Sequence, residues 1–313
     1  MRFLRCLVVL LVVCGAARAA VLARQDAGVE MDEATRARLV QLETDLDAAL
    51  VSASDPASLW LRGLLTRTND EARPRDLAAA HRAAPGDILY LASLASVCQV
   101  DLVPRPVACA ESDWLAKWAT VDPDNAAPWV LLAARSVRIR QPDRAIADLA
   151  QAAQRQRYDE YWNRSAARAW SVVRKTLPAR GEDAAGALMV WSTQPLAATA
   201  AFEVVCEHGP VTASGEGRDA CLRLATGTMS HADSAVGRRA AAGAVEYLAS
   251  DAAQKSRARK ELDDLTVRAR ACSDWVIAQT SREAPTGGSA RVERWLAALD
   301  KDDELTACER SAR

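Results

Sequence analysis

The stretch from Asp122 to Tyr158, DPDNAAPWVLLAARSVRIRQPDRAIADLAQAAQRQRY, admits few folds. Asp122, Pro123 and Asn125 supply turn chemistry, after which Trp129, Leu132, Ala133 and Val137 recur at helical spacing and mark one buried face. Gln141, Pro142 and Asp143 interrupt that pattern. Ala145, Ile146, Leu149, Ala152 and Ala153 then mark a second helix, whose small residues allow close approach to the first. The two runs form an antiparallel helical hairpin.

These residues resemble the tetratricopeptide repeat, a unit of roughly 34 residues with Trp near its start, small residues at the helix contacts and Pro near its end. Trp129, Leu132 and Ala133 match first-helix positions, and Ala145, Leu149 and Ala152 match the second. Pro123 sits where a preceding unit ends. Two positions depart from the pattern: Arg157 replaces the terminal Pro, and Ala133 stands where Gly is usual.

The resemblance covers residues 126–158 and, in degenerate form, 59–125. There Leu59, Trp60, Leu61 and Leu64 open one helix, and Leu77, Ala80 and Ala84 follow in a second closed by Pro85-Gly86-Asp87. A further pair runs over 88–97 and 111–121, across a loop holding Pro104 and Pro106. The resemblance implies three stacked hairpins, whose first helices line a concave face that receives a peptide or an irregular segment of another protein. Arg135 and Arg138 lie on the more polar side of the first helix of the best unit. They are the candidate binding residues, because a guanidinium clamps a carboxylate in bidentate geometry.

At the start of the chain, Arg2 and Arg5 flank a short apolar run, and small residues follow, ending Ala17-Arg18-Ala19. These are the parts of a secretory signal, and cleavage is expected near residue 19. Leu11 to Gly15 also resembles a lipobox, which gives the alternative of a lipoprotein anchored through Cys14, although Val13 departs from the small residue such a site requires. No other segment approaches the roughly 20 apolar residues of a membrane span. The domain reading is therefore a signal over 1–19, a leader and amphipathic helix over 20–58, hairpins over 59–158 and a helical C-terminal region over 159–313.

Loss of residues 1–19 removes three arginines and no acid, so the formal charge falls from −1 to −4. That balance argues against a nucleic-acid partner, which requires clustered positive charge. Cys98, Cys109, Cys206, Cys221, Cys272 and Cys308 remain, an even number that favours disulfides in an exported chain. Fifteen pairings are formally possible for six cysteines. Sequence proximity favours Cys98–Cys109, Cys206–Cys221 and Cys272–Cys308.

Past Tyr158 the repeat spacing fails while helical patterning continues through Trp162, Ala166, Trp170 and Val173. Shorter helices are expected over 185–191 and 197–205, a loop over 207–217, long helices over 231–248 and 251–282, and a last helix through Val292, Trp295, Leu296 and Leu299. Alternating β patterns are nearly absent, so the expected fold is all-α. Nine Trp stand against two Phe, and their helical spacing places most of them in the core.

No residue set in the sequence assigns a reaction. His occurs only at 81, 208 and 231, and His81, mid-helix beside Arg82, is expected at the surface or partly packed. Metal-ligand spacings such as His-Glu-x-x-His and Cys-x-x-Cys are missing, so no metal or cofactor is expected. Ser230, His231 and Asp233 are neighbours in sequence, which is no evidence of a triad, and Ser230 with Asp233 is expected to cap the next helix. Ser214 lacks the first Gly of a nucleophile elbow. Asp300, Asp302, Asp303 and Glu304 suit a helix end or turn. The leading expectation is an exported helical-repeat interaction or scaffold protein of the bacterial envelope that binds a protein or peptide. The alternative is a hydrolase or other enzyme with a scattered site formed from Glu203, Glu207, His208 and His231.

Overall fold

The structure is a computed structural model describing residues 33–65, 71–99, 105–177, 196–207, 210–280, 288–299 and 301–313. The expected leader with its cleavage site, Cys14, the helix expected at 185–191, His208 and Asp300 lie outside the described residues. The chain divides into two compact units, Met1–Val40 and Gln41–Arg313. Helix α1 (Glu33–Leu50) begins in the first of these and ends in the second, where Leu42, Leu46 and Leu50 are buried. Among the described residues the fold is all-α, with no strand.

Helices α2 (Pro56–Leu65) and α3 (Ala72–Ala83) form the first hairpin. Trp60, Leu61, Leu64 and Leu77 close its interior, and Gly63 lets α3 approach, since a Cβ there would stand 2.9 Å from the Leu77 side chain. A bidentate ion pair ties the two helices, with Arg62 donating to Asp76 at 2.6 and 2.9 Å and to the carbonyls of Leu50 and Val51. The second hairpin comprises α4 (Ile88–Cys98) and α6 (Trp114–Val121), with the short α5 (Val107–Ala110) between them. Asp87 and Asp113 cap α4 and α6 by accepting from Leu89 N and Ala116 N.

The stretch 122–158 folds as its pattern requires, into α7 (Ala127–Arg138) and α8 (Pro142–Ala152). Pro128 and Pro142 each sit in a first turn, where a missing N–H costs nothing. Stacking then continues beyond the point at which the sequence period fails. Helix α10 (Ala197–Cys206) packs on α7, and α11 (Gly215–His231) packs on α8 and on the helix that follows it. Helices α12 (Ala235–Leu248) and α13 (Ala252–Thr280) extend the series, and α14 (Gly288–Ala298) and α15 (Glu304–Ala312) pack on α13.

Helix α9 (Trp162–Thr176) interrupts this succession in sequence and braces it in space. It packs on α2 and on α14. Arg168 reaches the second hairpin, donating to Tyr90 Oη at 2.9 Å and pairing with Asp87 at 3.3 Å. Trp170, Val172 and Val173 are buried in these contacts. Part of the side offered by the first helices is therefore covered by a helix of the same chain.

All three expected cysteine pairs lie at bonding distance. Cys98–Cys109 joins α4 to α5, Cys206–Cys221 joins α10 to α11, and Cys272–Cys308 joins α13 to α15, with Cα separations of 5.1, 5.5 and 5.8 Å. Such bonds fit an oxidising compartment. Among the described residues no helix is long and apolar enough to cross a membrane.

Several expectations change. The loop expected over 207–217 contains a 3-10 turn (Pro210–Ala213) and the start of α11, a 17-residue helix with no strong sequence signature. Its Gly and Thr residues weaken intrinsic propensity, and burial of Ala220, Cys221, Leu224 and Ala225 against neighbours stabilises it instead. Ser214 caps α11 through Gly217 N, and a Cβ on Gly217 would meet Val211 O at 2.1 Å. Ser230 lies inside α11, and Ser234 caps α12. His81 is buried, edge-on to Trp114 and 2.9 Å from Lys117 Nζ. Burial, with Lys117 and Arg82 adding repulsion, holds its pKa below the usual imidazole value. Of the tryptophans, 60, 114, 118, 170 and 295 are buried, as their spacing implies.

Candidate functional site

The link from α8 to α9 runs as an extended strip between two turns. On one side Ala126 N donates to Arg157 O at 2.9 Å and Arg157 N to Asp124 O at 3.3 Å; on the other, Asp233 N donates to Tyr158 O at 3.2 Å. The strip thereby joins the turn before α7 to the turn before α12.

Its polar side chains are satisfied in detail on the α7 side. Asn125, fully buried, accepts from Ala127 N and Asp159 N at 3.1 and 3.0 Å and donates to Asp122 and to the Asp159 carbonyl, both at 2.8 Å. Asp122 also accepts from Trp118 Nε1, Tyr161 Oη and Arg157, while Arg157 pairs with Asp159 at 3.0 Å. Arg157, the residue that departs from the repeat pattern, is thus the cation that neutralises this node. Tyr161 adopts a left-handed backbone (φ 60°), held by its hydroxyl bond to Asp122 and by Arg164 stacked 4.3 Å from its ring. Burial, reinforced by Asp122, raises its phenol above the usual value.

Three carboxylates cap helices far from them in sequence. Glu160 accepts from Ala198 N at 2.6 Å and from Thr199 N at 2.9 Å at the start of α10. Asp233 accepts from Trp162 N at 3.1 Å at the start of α9, and Glu304 from Ala235 N at 3.1 Å at the start of α12. Helix N-termini favour such groups. Burial nevertheless pushes the Glu160 carboxyl up to about 7, with the Asp159 charge adding to it, and raises Asp233 well above the usual carboxylate range.

Beside the strip, between the C-terminal ends of α8 and α11, lies a cavity of about 30 Å³ whose charged lining is entirely basic: Arg155, Arg157, Arg223 and His231. Arg155 lies over Trp129 at 5.1 Å and donates to Gln151 at 2.7 Å, with its Nε buried and without a partner among the described residues. Thr228, 4 % exposed, also lines the cavity, and its hydroxyl has no hydrogen-bond partner among the described residues. Basic groups gathered around one small space suit a small oxyanion.

The sequence candidates are dispersed. Arg135 forms a bidentate pair with Asp113 at 2.9 and 3.0 Å, and Arg138 donates to Gln99 O at 2.7 Å, so both are engaged within the chain. His231 reaches the cavity, whereas Glu203 and Glu207 do not line it. Arg223 and Thr228 carried no signal in sequence, because α11 itself was not legible there, and Arg155 stood out only as part of the 122–158 stretch.

No family model matches the chain, and no curated protein or solved structure shows significant similarity to it.

Proposed function

We propose that the protein is an exported scaffold of the bacterial cell envelope whose stacked, tetratricopeptide-like hairpins bind a protein or peptide partner. The observation supporting this reading most directly is the packing of α10 on α7 and of α11 on α8, which extends the helix stack past the inserted α9. Stacking of this kind buries the apolar faces against neighbours and leaves a long outer surface for recognition. Three disulfides suit such a surface to an oxidising compartment. Arg135 and Arg138 can contribute only where a ligand competes with Asp113 and with the Gln99 carbonyl.

The test is crosslinking of the protein in its native envelope, followed by identification of the crosslinked peptides. A reproducible partner attached to residues of the hairpin stack supports the reading. Recovery only of uncrosslinked monomer, across crosslinkers of several lengths, overturns it.

A further inference from the structure

We propose that the cavity between α8 and α11 is a binding site for a single oxyanion group, a carboxylate or a phosphate, independently of what the rest of the hairpin stack binds. The argument begins with charge. Arg157 is matched by Asp122 and Asp159, but no carboxylate pairs with Arg155 or Arg223 among the described residues, and no Asp or Glu lines the cavity. Two arginines without carboxylate partners among the described residues thus line one small space, together with His231, whose Nδ1 lies 3.0 Å from Gly227 O. The cavity stands at helix C-terminal ends, where free carbonyls would repel an anion. Here the Thr228 carbonyl accepts from Ala232 N and the Ala152 carbonyl from Arg155 N, so these acceptors are occupied.

The second strand of the argument is unmet hydrogen-bonding capacity. The Thr228 hydroxyl and Arg155 Nε are both buried without a partner among the described residues, which leaves each short of the bond it had in water. An oxyanion accepts from both and from the Arg223 fork. A cavity of about 30 Å³ holds about two waters, or one such group in their place. The packing of Arg155 on Trp129 pre-orients its guanidinium, so little side-chain freedom remains to be lost on binding.

The experiment uses the purified, disulfide-intact chain and two probes, inorganic phosphate and a short peptide ending in glutamate. Each is titrated calorimetrically and by thermal melting, with sodium chloride at matched ionic strength as control. The expected result is saturable 1:1 binding of at least one probe and a saturating rise in Tm that chloride does not reproduce. Arg223→Gln, at an exposed residue with no carboxylate partner among the described residues, should leave the ligand-free Tm unchanged and weaken binding at least tenfold. Thr228→Val should weaken binding without lowering stability. Binding of phosphate alone identifies a phosphate site, and binding of the peptide alone a carboxylate site. Absence of saturable binding by both probes overturns the proposal, as does equal affinity in Arg223→Gln.

Discussion

Replacing Glu160 by Gln isolates what one buried carboxylate does to the whole fold. Glu160 receives Ala198 N and Thr199 N at the start of α10, so it ties the strip before α9 to helix α10 after it. Its carboxyl titrates near 7 in the folded chain and at 4.5 ordinarily, because burial penalises the charge more than the helix terminus favours it. The folded state therefore binds the proton more tightly than the unfolded state does. The resulting stability is fully present below about pH 4.5, is lost as pH rises towards about 7, and changes no further above that. A shift of that size corresponds to about 3 kcal/mol across the window. Gln resembles the protonated side chain, keeps one acceptor for the cap and cannot ionise; loss of the second acceptor costs about 1 kcal/mol at every pH. Urea denaturation from pH 4.5 to 8 should show wild type losing stability relative to Glu160→Gln, with the curves crossing inside the window. Parallel curves would mean that Glu160 is already ionised and solvated at neutral pH, and would refute its assignment as a desolvated cap.

Removing the Cys272–Cys308 bridge, which closes 36 residues, should lower stability by about 4 kcal/mol, against about 3 kcal/mol for Cys98–Cys109, which closes 11. Paired Cys→Ala variants in urea melts test the order, and non-reducing peptide mapping tests the connectivity. Asp76→Ala leaves Arg62 without its bidentate partner and should cost about 3 kcal/mol; a loss below 1 kcal/mol would show the pair to be solvated. Gly217→Ala forces a Cβ against the Val211 carbonyl and should cost about 2 kcal/mol despite the better helix propensity of Ala, which a simple thermal melt can check.

The sequence by itself determined the all-α class, the hairpin over 122–158, the cysteine pairing and the tryptophan-rich core. Each of these rests on local information: a helical period, a turn, or proximity along the chain. Only the tertiary structure decided the rest. Helix α11 is stabilised by the side chains it buries rather than by its own composition, so its first residues, through Gly217, read as loop until α8 is placed beside the helix. Arg157 in sequence is merely a missing proline, and in the fold it neutralises Asp122, 35 residues away. The caps given by Glu160, Asp233 and Glu304 reach 38, 71 and 69 residues along the chain, far beyond the three-residue reach of an ordinary helix cap. The basic cavity belongs to the same class: its cations come from two segments, 155–157 and 223–231, that share no pattern and meet only because α8 packs on α11. Periodicity records which face of a helix is buried, but not which distant side chain supplies the missing charge or hydrogen bond at its end.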